Sequence, residues 1–258
     1  MSTAVSDRIV SDIRNGRPFQ RYADEVGTDL AEAYHIQDAV TERLLGDVPG
    51  RRIAGYKIAF NKGSSLAYYG LSEPCIAPVF SDLVVGSGAR FDANRYRDFV
   101  IEPELVITLS EDLVHDVERD DAGLARHVAS VRAGIELMDV RGAFAHDPSA
   151  AEAVAQGVYN VGAVLGPEEV AIGDLDVERI ITTLHRNGKL EGEATGAAPQ
   201  HPLDVLRWLS ERLDRDGRAL EAGMIVLCGT HLPGHPVSGP ASIDIAMGPL
   251  GKVGFYFV

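Results

Sequence analysis

The stretch "DFVIEPELVITL", residues 98–109, constrains the fold more tightly than any other part of the chain. Its Phe, Val, Ile and Leu residues call for burial in a strand, yet Glu102 and Glu104 interrupt the run two positions apart. Side chains alternate across a strand, so both carboxylates share a face with Val100 and Val106. Two like charges on a half-apolar surface repel each other and resist desolvation. One resolution is a solvated face on an edge strand, which Pro103 favours because proline cannot donate to a ladder. The other is convergence on a cation, since residues i and i+2 of a strand lie about 6–7 Å apart and a divalent ion removes the repulsion.

The segments around this strand set its context. "LAEAYHIQDAVTERLL" (30–45) carries Leu30, Ala33, Tyr34, Ile36, Val40, Leu44 and Leu45 at helical spacing, with Thr28 and Asp29 available as caps and Gly46 to close. "RRIAGYKIAF" (51–60) and "RAGIELMDV" (132–140) read as strands, and "DDAGLARHVASV" as a short amphipathic helix. "ERIITTLHRNGKLEGEATG" reads as a hairpin about Asn187-Gly188. "HPLDVLRWLSERLDRDG" (201–217) is a helix with Pro202 in its first turn and Leu203, Leu206, Leu209 and Leu213 on its buried stripe. The tail from Met224 reads as strands joined by Gly/Pro turns. Helices early and strands later predict an α+β or mixed-sheet fold, not repeated βαβ units.

Composition excludes several classes of partner. A formal net charge of −14 argues against nucleic acid or an anionic membrane surface. No apolar run approaches the ~20 residues that span a bilayer, and the opening "MSTAVSDRIVSDIRNG" does not resemble a signal peptide. With only Cys75 and Cys228, no disulfide framework is expected, and a reducing cytoplasm fits.

Two further residues bear on the acidic pair. Glu136 lies among Ile135, Leu137 and Met138, in a segment too apolar for a surface loop. It needs a partner: either an arginine, Arg132 or Arg141, or a cation shared with Glu102 and Glu104. Three glutamates without a nearby cysteine pair form a hard, all-oxygen set suited to Mg²⁺ or Mn²⁺. Asp139 falls on the opposite face, with Arg141 as its expected neighbour. Lys57, within a strand of Ile53, Tyr56, Ile58 and Phe60, must either snorkel or find an anion. His231 and His235 are separated by Pro-Gly, which disfavours a zinc pair, and Cys228 reads as core.

Taken in order, "AYHIQ", "GYKIAF", "IEPELVITL", "GIELMDVR", "HPLDVLRWLSERL" and "MIVLCGT" resemble the 2-hydroxypenta-2,4-dienoate hydratase / 4-oxalocrotonate decarboxylase group of the fumarylacetoacetate hydrolase superfamily. The resemblance runs from about residue 28 to the end. It implies a single catalytic domain over 1–258, with a helical part over 1–50 and a mixed β-sheet roll with surrounding helices over 51–258, and a Mg²⁺ or Mn²⁺ ion on Glu102, Glu104 and Glu136. It makes Lys57 the active-site lysine and places the Gly229-Thr230 turn beside a small 2-oxo acid substrate. It further implies a homo-oligomer, with room for a complex with a paired pathway enzyme, and a place in the breakdown of aromatic compounds. Departures fall on the substrate side. "GLSEPCIAP" puts Cys75 at a substrate-side position where a second acid is usual, "AFNKGSS" replaces a "GLTS"-like run, and Gly239-Pro240 replaces Gly-Asp. The implied activity is a hydratase or decarboxylase. The alternatives are an acylpyruvate hydrolase using a His-Glu pair, for which His35 and Glu32 are available, and an inactive small-acid-binding or partner subunit.

Overall fold

The computed structural model describes residues 2–114 and 117–258. Three helices come first: α1 (Ser2–Arg14), α2 (Ala23–Val26) and α3 (Leu30–Leu45). Helix α3 starts and stops where the spacing predicts. The Asp29 carboxylate accepts the Ala31 N–H at 2.9 Å, and Gly46 follows the last turn. Its buried stripe of Ala33, Tyr34, Ile36 and Val40 shares one core with Val5, Ile9 and Val10 of α1.

The remaining elements are β1 (Ile53–Ala59), α4 (Gly63–Tyr69), β2 (Cys75–Phe80), β3 (Val84–Gly86), β4 (Ala89–Phe91), β5 (Phe99–Leu109), α5 (Asp121–Arg126) and β6 (Val128–Asp139). They continue with α6 (Ala150–Ala155), β7 (Asn160–Leu165), β8 (Ile181–Arg186), β9 (Lys189–Thr195), α7 (Pro202–Arg215) and β10 (Ile225–Thr230). Last come β11 (His235–Pro236), β12 (Ala241–Met247) and β13 (Lys252–Phe257). The larger sheet runs β2-β1-β10-β5-β6-β7-β3, with β11 also paired to β5. The smaller runs β4-β13-β12-β8-β9. Both are mixed: β1/β10, β3/β7 and β4/β13 are parallel, and the other pairs are antiparallel. The fold is therefore α+β, as expected. Phe99 of the large sheet stacks on Phe257 of the small one at 4.8 Å and meets Phe255 edge-on at 6.0 Å, which joins the two.

The edge position expected for the glutamate strand is overturned. Strand β5 is central, between β10 and β6. Pro103 is tolerated there because its partner changes at that point. β10 pairs with β5 as far as Thr230↔Glu104, and β11 takes over at Ile101 and Val100. The Pro103 carbonyl accepts the His231 N–H at 2.9 Å in the gap, where the missing proline N–H has no ladder partner to deprive. Other boundaries also move. The helix expected over "DDAGLARHVASV" stops at Arg126, and β6 begins at Val128, since the β-branched run prefers the sheet. The Asn187-Gly188 hairpin is present, with φ of 51° and 77° as a type I′ turn requires.

Gly55 shows how closely β1 and β10 approach. A Cβ there would stand 1.9 Å from the Ile225 carbonyl oxygen. Gly55→Ala is expected to cost at least the ~1–3 kcal/mol typical of overpacking, about 2–4 °C of melting temperature per kcal/mol in a chain of this size. An unchanged thermal midpoint would show that the strands can part without penalty.

Candidate active site

The central position of β5 brings the acidic residues together. Antiparallel pairing sets Glu102 directly opposite Glu136 and Glu104 opposite Gly134. Lys57 arrives from β1, two strands away, in line with Leu227 and Val106. The Lys57 Nζ lies 2.9 Å from Glu136 Oε1, and both side chains are almost fully buried. Neither Arg132 nor Arg141 is the partner of Glu136. Arg132 pairs with Glu169, and the Arg141 guanidinium donates to Gln156 and the Arg17 carbonyl. Asp139 does lie apart from the glutamates, but it accepts backbone N–H groups of Arg97, Asp98 and Arg141, not a guanidinium.

Each carboxylate is held from one side and bare on another. Glu104 Oε2 accepts the Gly229 N–H at 2.7 Å, and Glu136 Oε1 also accepts from Asn160 Nδ2 at 3.1 Å. Glu104 Oε1 and Glu136 Oε2 are buried without a hydrogen-bond partner. One oxygen from each of the three glutamates lies within 4.8 Å of the others. Only a residue without a side chain fits at 229. Its φ is +101°, and a Cβ would stand 2.6 Å from the Asn61 amide, which closes over the strand end by donating to the Cys228 carbonyl at 3.1 Å.

Electrostatics sharpen the demand. Burial, and then the Glu136 charge, push Glu102 up to about 7, against the pull of Lys57 and Lys62. Burial, Glu136 and Glu102 hold Glu104 well above the usual carboxylate range. Burial alone would lower Lys57, but Glu136, Glu102 and Glu104 outweigh it, so the group stays an ammonium. One ammonium faces three acids, and two buried oxygens lack any donor. A hard divalent cation would supply the missing positive charge, and Glu102, Glu104 and Glu136 are the residues that would hold it.

A cation must displace the protons these glutamates take up. Apparent affinity is therefore expected to rise as pH climbs through about 7. Calorimetry in two buffers of different ionisation enthalpy would register proton release, and its absence would refute the raised carboxyls. The sign for the metal-free fold is opposite. Glu102 binds its proton more tightly folded than unfolded, so stability should fall between the ordinary glutamate range, ~4.3, and about 7. Denaturation in chelator at pH 5 and pH 8 checks this, and a higher midpoint at pH 8 would contradict it.

Lys57 and Glu102 of this cluster line a cleft of ≈ 240 Å³. That volume suits a small organic acid and falls below the ~300–1,000 Å³ of sites for larger ligands. Lys57, Asn61, Lys62, Ser65, Glu102, Gly229 and Thr230 form its polar part. Phe60, Tyr69, Met138, Phe144, Val158 and Tyr159, with Ile58 and Ala59 of β1, form the rest. Three of these, Phe60, Val158 and Tyr159, hold φ values of 60°, 45° and 63°. Non-glycine residues in that region cost roughly 1–3 kcal/mol each, and such strain gathers at functional sites.

Among the residues singled out in the sequence, Lys57, Glu102, Glu104, Glu136, Gly229 and Thr230 come together. Cys75 does not. It is fully buried at the start of β2 with its thiol against the Tyr34 hydroxyl, and is absent from the cleft wall, so a contact with substrate has no support in its position. His35 and Glu32 are exposed on α3 and also absent from the wall. His231 is buried, with Nδ1 2.9 Å from Thr182 Oγ1, and His235 pairs with Glu191 instead of with His231. Sequence reasoning passed over Asn160, which steadies Glu136, along with helices α4 and α6. The Ser149-x-x-Glu152 capping box was a readable signal for α6. None of the α4 residues is buried, so α4 left no apolar stripe to read.

No family model matches the chain. It is 28% identical over 248 residues to 2-keto-4-pentenoate hydratase 2 of Dechloromonas aromatica (strain RCB), covering 94% of this chain and 92% of that protein. It is 29% identical over 234 residues to the TodF product hydratase of Pseudomonas putida (strain F1), covering 88% and 83%. In structure it is similar to 4-oxalocrotonate decarboxylase from Pseudomonas putida G7, solved with magnesium and adipate, with a TM-score of 0.90 at 20% identity over 100% of this chain and 97% of that one. Fumarylacetoacetate hydrolase from Exiguobacterium antarcticum gives a TM-score of 0.61 at 15% identity over 80% and 74%.

Proposed function

We propose that this homologue of the 2-keto-4-pentenoate hydratases is a divalent-metal-dependent lyase, a hydratase or decarboxylase, acting on a small 2-oxo or 2-hydroxydienoic acid. The observation that carries the reading is the convergence of Glu102, Glu104 and Glu136 beside Lys57, with Lys57 and Glu102 on the wall of a small cleft. When bound, Mg²⁺ or Mn²⁺ supplies Lewis-acid stabilisation of the negative charge that develops on a 2-oxo group.

The chain's own residues do the rest. The Lys57 ammonium, kept protonated by Glu136, pairs with the substrate carboxylate or delivers a proton to the carbon chain. Glu136 is oriented for both duties by Asn160. The Gly229 N–H fixes Glu104, so the strand end that borders the substrate also aims a metal ligand. Thr230 ties its hydroxyl to the Leu232 carbonyl and presents its remaining surface to the cleft.

Similarity over most of the chain to hydratases favours lyase chemistry over hydrolysis. His35 and Glu32, exposed and off the cleft wall, lend no support to the acid-base pair that the hydrolase alternative would use. The test is incubation with Mg²⁺ or Mn²⁺ on a panel of 2-oxo and 2-hydroxydienoic acids, following water addition, CO₂ release and chain cleavage separately. Metal-dependent water addition or CO₂ release is expected. Cleavage of acylpyruvates would move the assignment to a hydrolase, and no turnover at all would favour the inactive-subunit alternative.

A further inference from the structure

We infer that the cleft selects substrates whose end remote from the 2-oxo acid head is apolar, an alkyl or aryl tail, and not a second carboxylate. The inference rests on the lyase reading above and specifies its substrate class. The cleft is divided by charge. Its cations, Lys57 and Lys62, stand at the glutamate end: Lys57 pairs with Glu136, and the Lys62 charge acts on Glu102 and on His231. The other wall is built from Phe60, Tyr69, Met138, Phe144, Val158 and Tyr159. Phe60 and Tyr69 pack at 4.4 Å between ring centroids, and Phe144 meets Tyr159 edge-on at 6.1 Å.

Lys62 stands at the N-terminal end of α4, and Tyr69, at its last turn, packs on Phe60. At the aromatic end the opposite charges of Glu152 and Arg141 both lie near Tyr159, and Asp147 accepts the Tyr68 hydroxyl at 2.5 Å and adds to the effect of burial in raising the neighbouring Tyr69 phenol. The Asp147 charge repels a carboxylate tail. Phe144 is 62% exposed although it lines the cleft, which leaves an aromatic face for a ligand tail to cover. The left-handed backbone at Phe60, Val158 and Tyr159 places all three of those side chains on this wall, so the strain is concentrated where the tail would lie.

The test measures dissociation constants by calorimetry on the Mg²⁺-loaded protein with unreactive acids that share one head: 2-oxobutanoate, 2-oxooctanoate, 2-oxo-4-phenylbutanoate and 2-oxoadipate. Burying a tail of several carbons on an aromatic wall should tighten the octanoate and phenyl acids at least about tenfold over 2-oxobutanoate, with 2-oxoadipate no tighter than 2-oxobutanoate. In Phe144→Ala and Tyr69→Ala the ratio between short and tailed acids should shrink several-fold. A wild-type ratio near one, or tightest binding by 2-oxoadipate, would overturn the inference while leaving the lyase reading standing. If no 2-oxo acid binds, both fall together.

Discussion

Glu102→Gln and Glu104→Gln are expected to abolish metal-dependent turnover while folding at least as stably as the parent in chelator. Each removes a carboxyl from a cluster in which one oxygen of each glutamate lies within 4.8 Å of the others and burial and mutual repulsion already resist ionisation, so the metal-free fold has less repulsion to contain. The same change removes a ligand. Loss of an outer-shell partner already costs ~10–100-fold in metal affinity, and loss of a ligand should cost more. In the parent protein, Mg²⁺ at 100 times its dissociation constant stabilises by about 2.7 kcal/mol, a rise of roughly 5–10 °C in a chain of this size. The variants should show almost none of that rise. Thermal scans in chelator and in excess Mg²⁺ give both readouts, and a variant that keeps the Mg²⁺-dependent rise would remove its glutamate from the metal set.

Lys57→Met has a different signature. The substitution keeps most of the side-chain volume but strands Glu136, whose partner across 2.9 Å is gone. Breaking a buried pair from one side typically costs ~3–5 kcal/mol. The metal-free variant should therefore melt well below the parent, with a divalent cation restoring more stability to it than to wild type because the cation replaces the lost charge. Turnover should fall by ~10²–10⁴, the usual contribution of a positioned proton donor, with metal still bound. Full activity in the metal-loaded variant would place Lys57 outside the chemistry and leave it a structural counter-ion.

These two results depend on features of unequal visibility. The metal candidates were legible because an acid pair at i and i+2 in an apolar strand, and a third acid in another, violate the usual partition of charge. Lys57 was legible for the same reason. What pairs with what was not. In the sequence an arginine or a shared cation stood open as the partner of Glu136, and only the folded sheet shows that Lys57, three strands away, reaches it. Pro103 pointed to an edge because a local rule about ladder donors cannot know that two short strands will share one flank of β5. Cys75 looked like a substrate contact by its alignment with a missing acid, yet packing buries it against Tyr34.

The sequence by itself determined the longer helices α3 and α7, the strands that carry Lys57 and the glutamates, the hairpin at Asn187-Gly188, the acidic set and the α+β class, because these follow from periodicity, turn chemistry and the cost of a charge in an apolar strand. Tertiary structure alone decided the central place of β5, the Lys57–Glu136 pair, the Gly229 N–H on Glu104 and the aromatic wall of the cleft. Those depend on contacts between residues distant along the chain and on left-handed backbone at Phe60, Val158 and Tyr159. No local preference encodes such contacts, since they exist only once the surrounding sheet holds them in place.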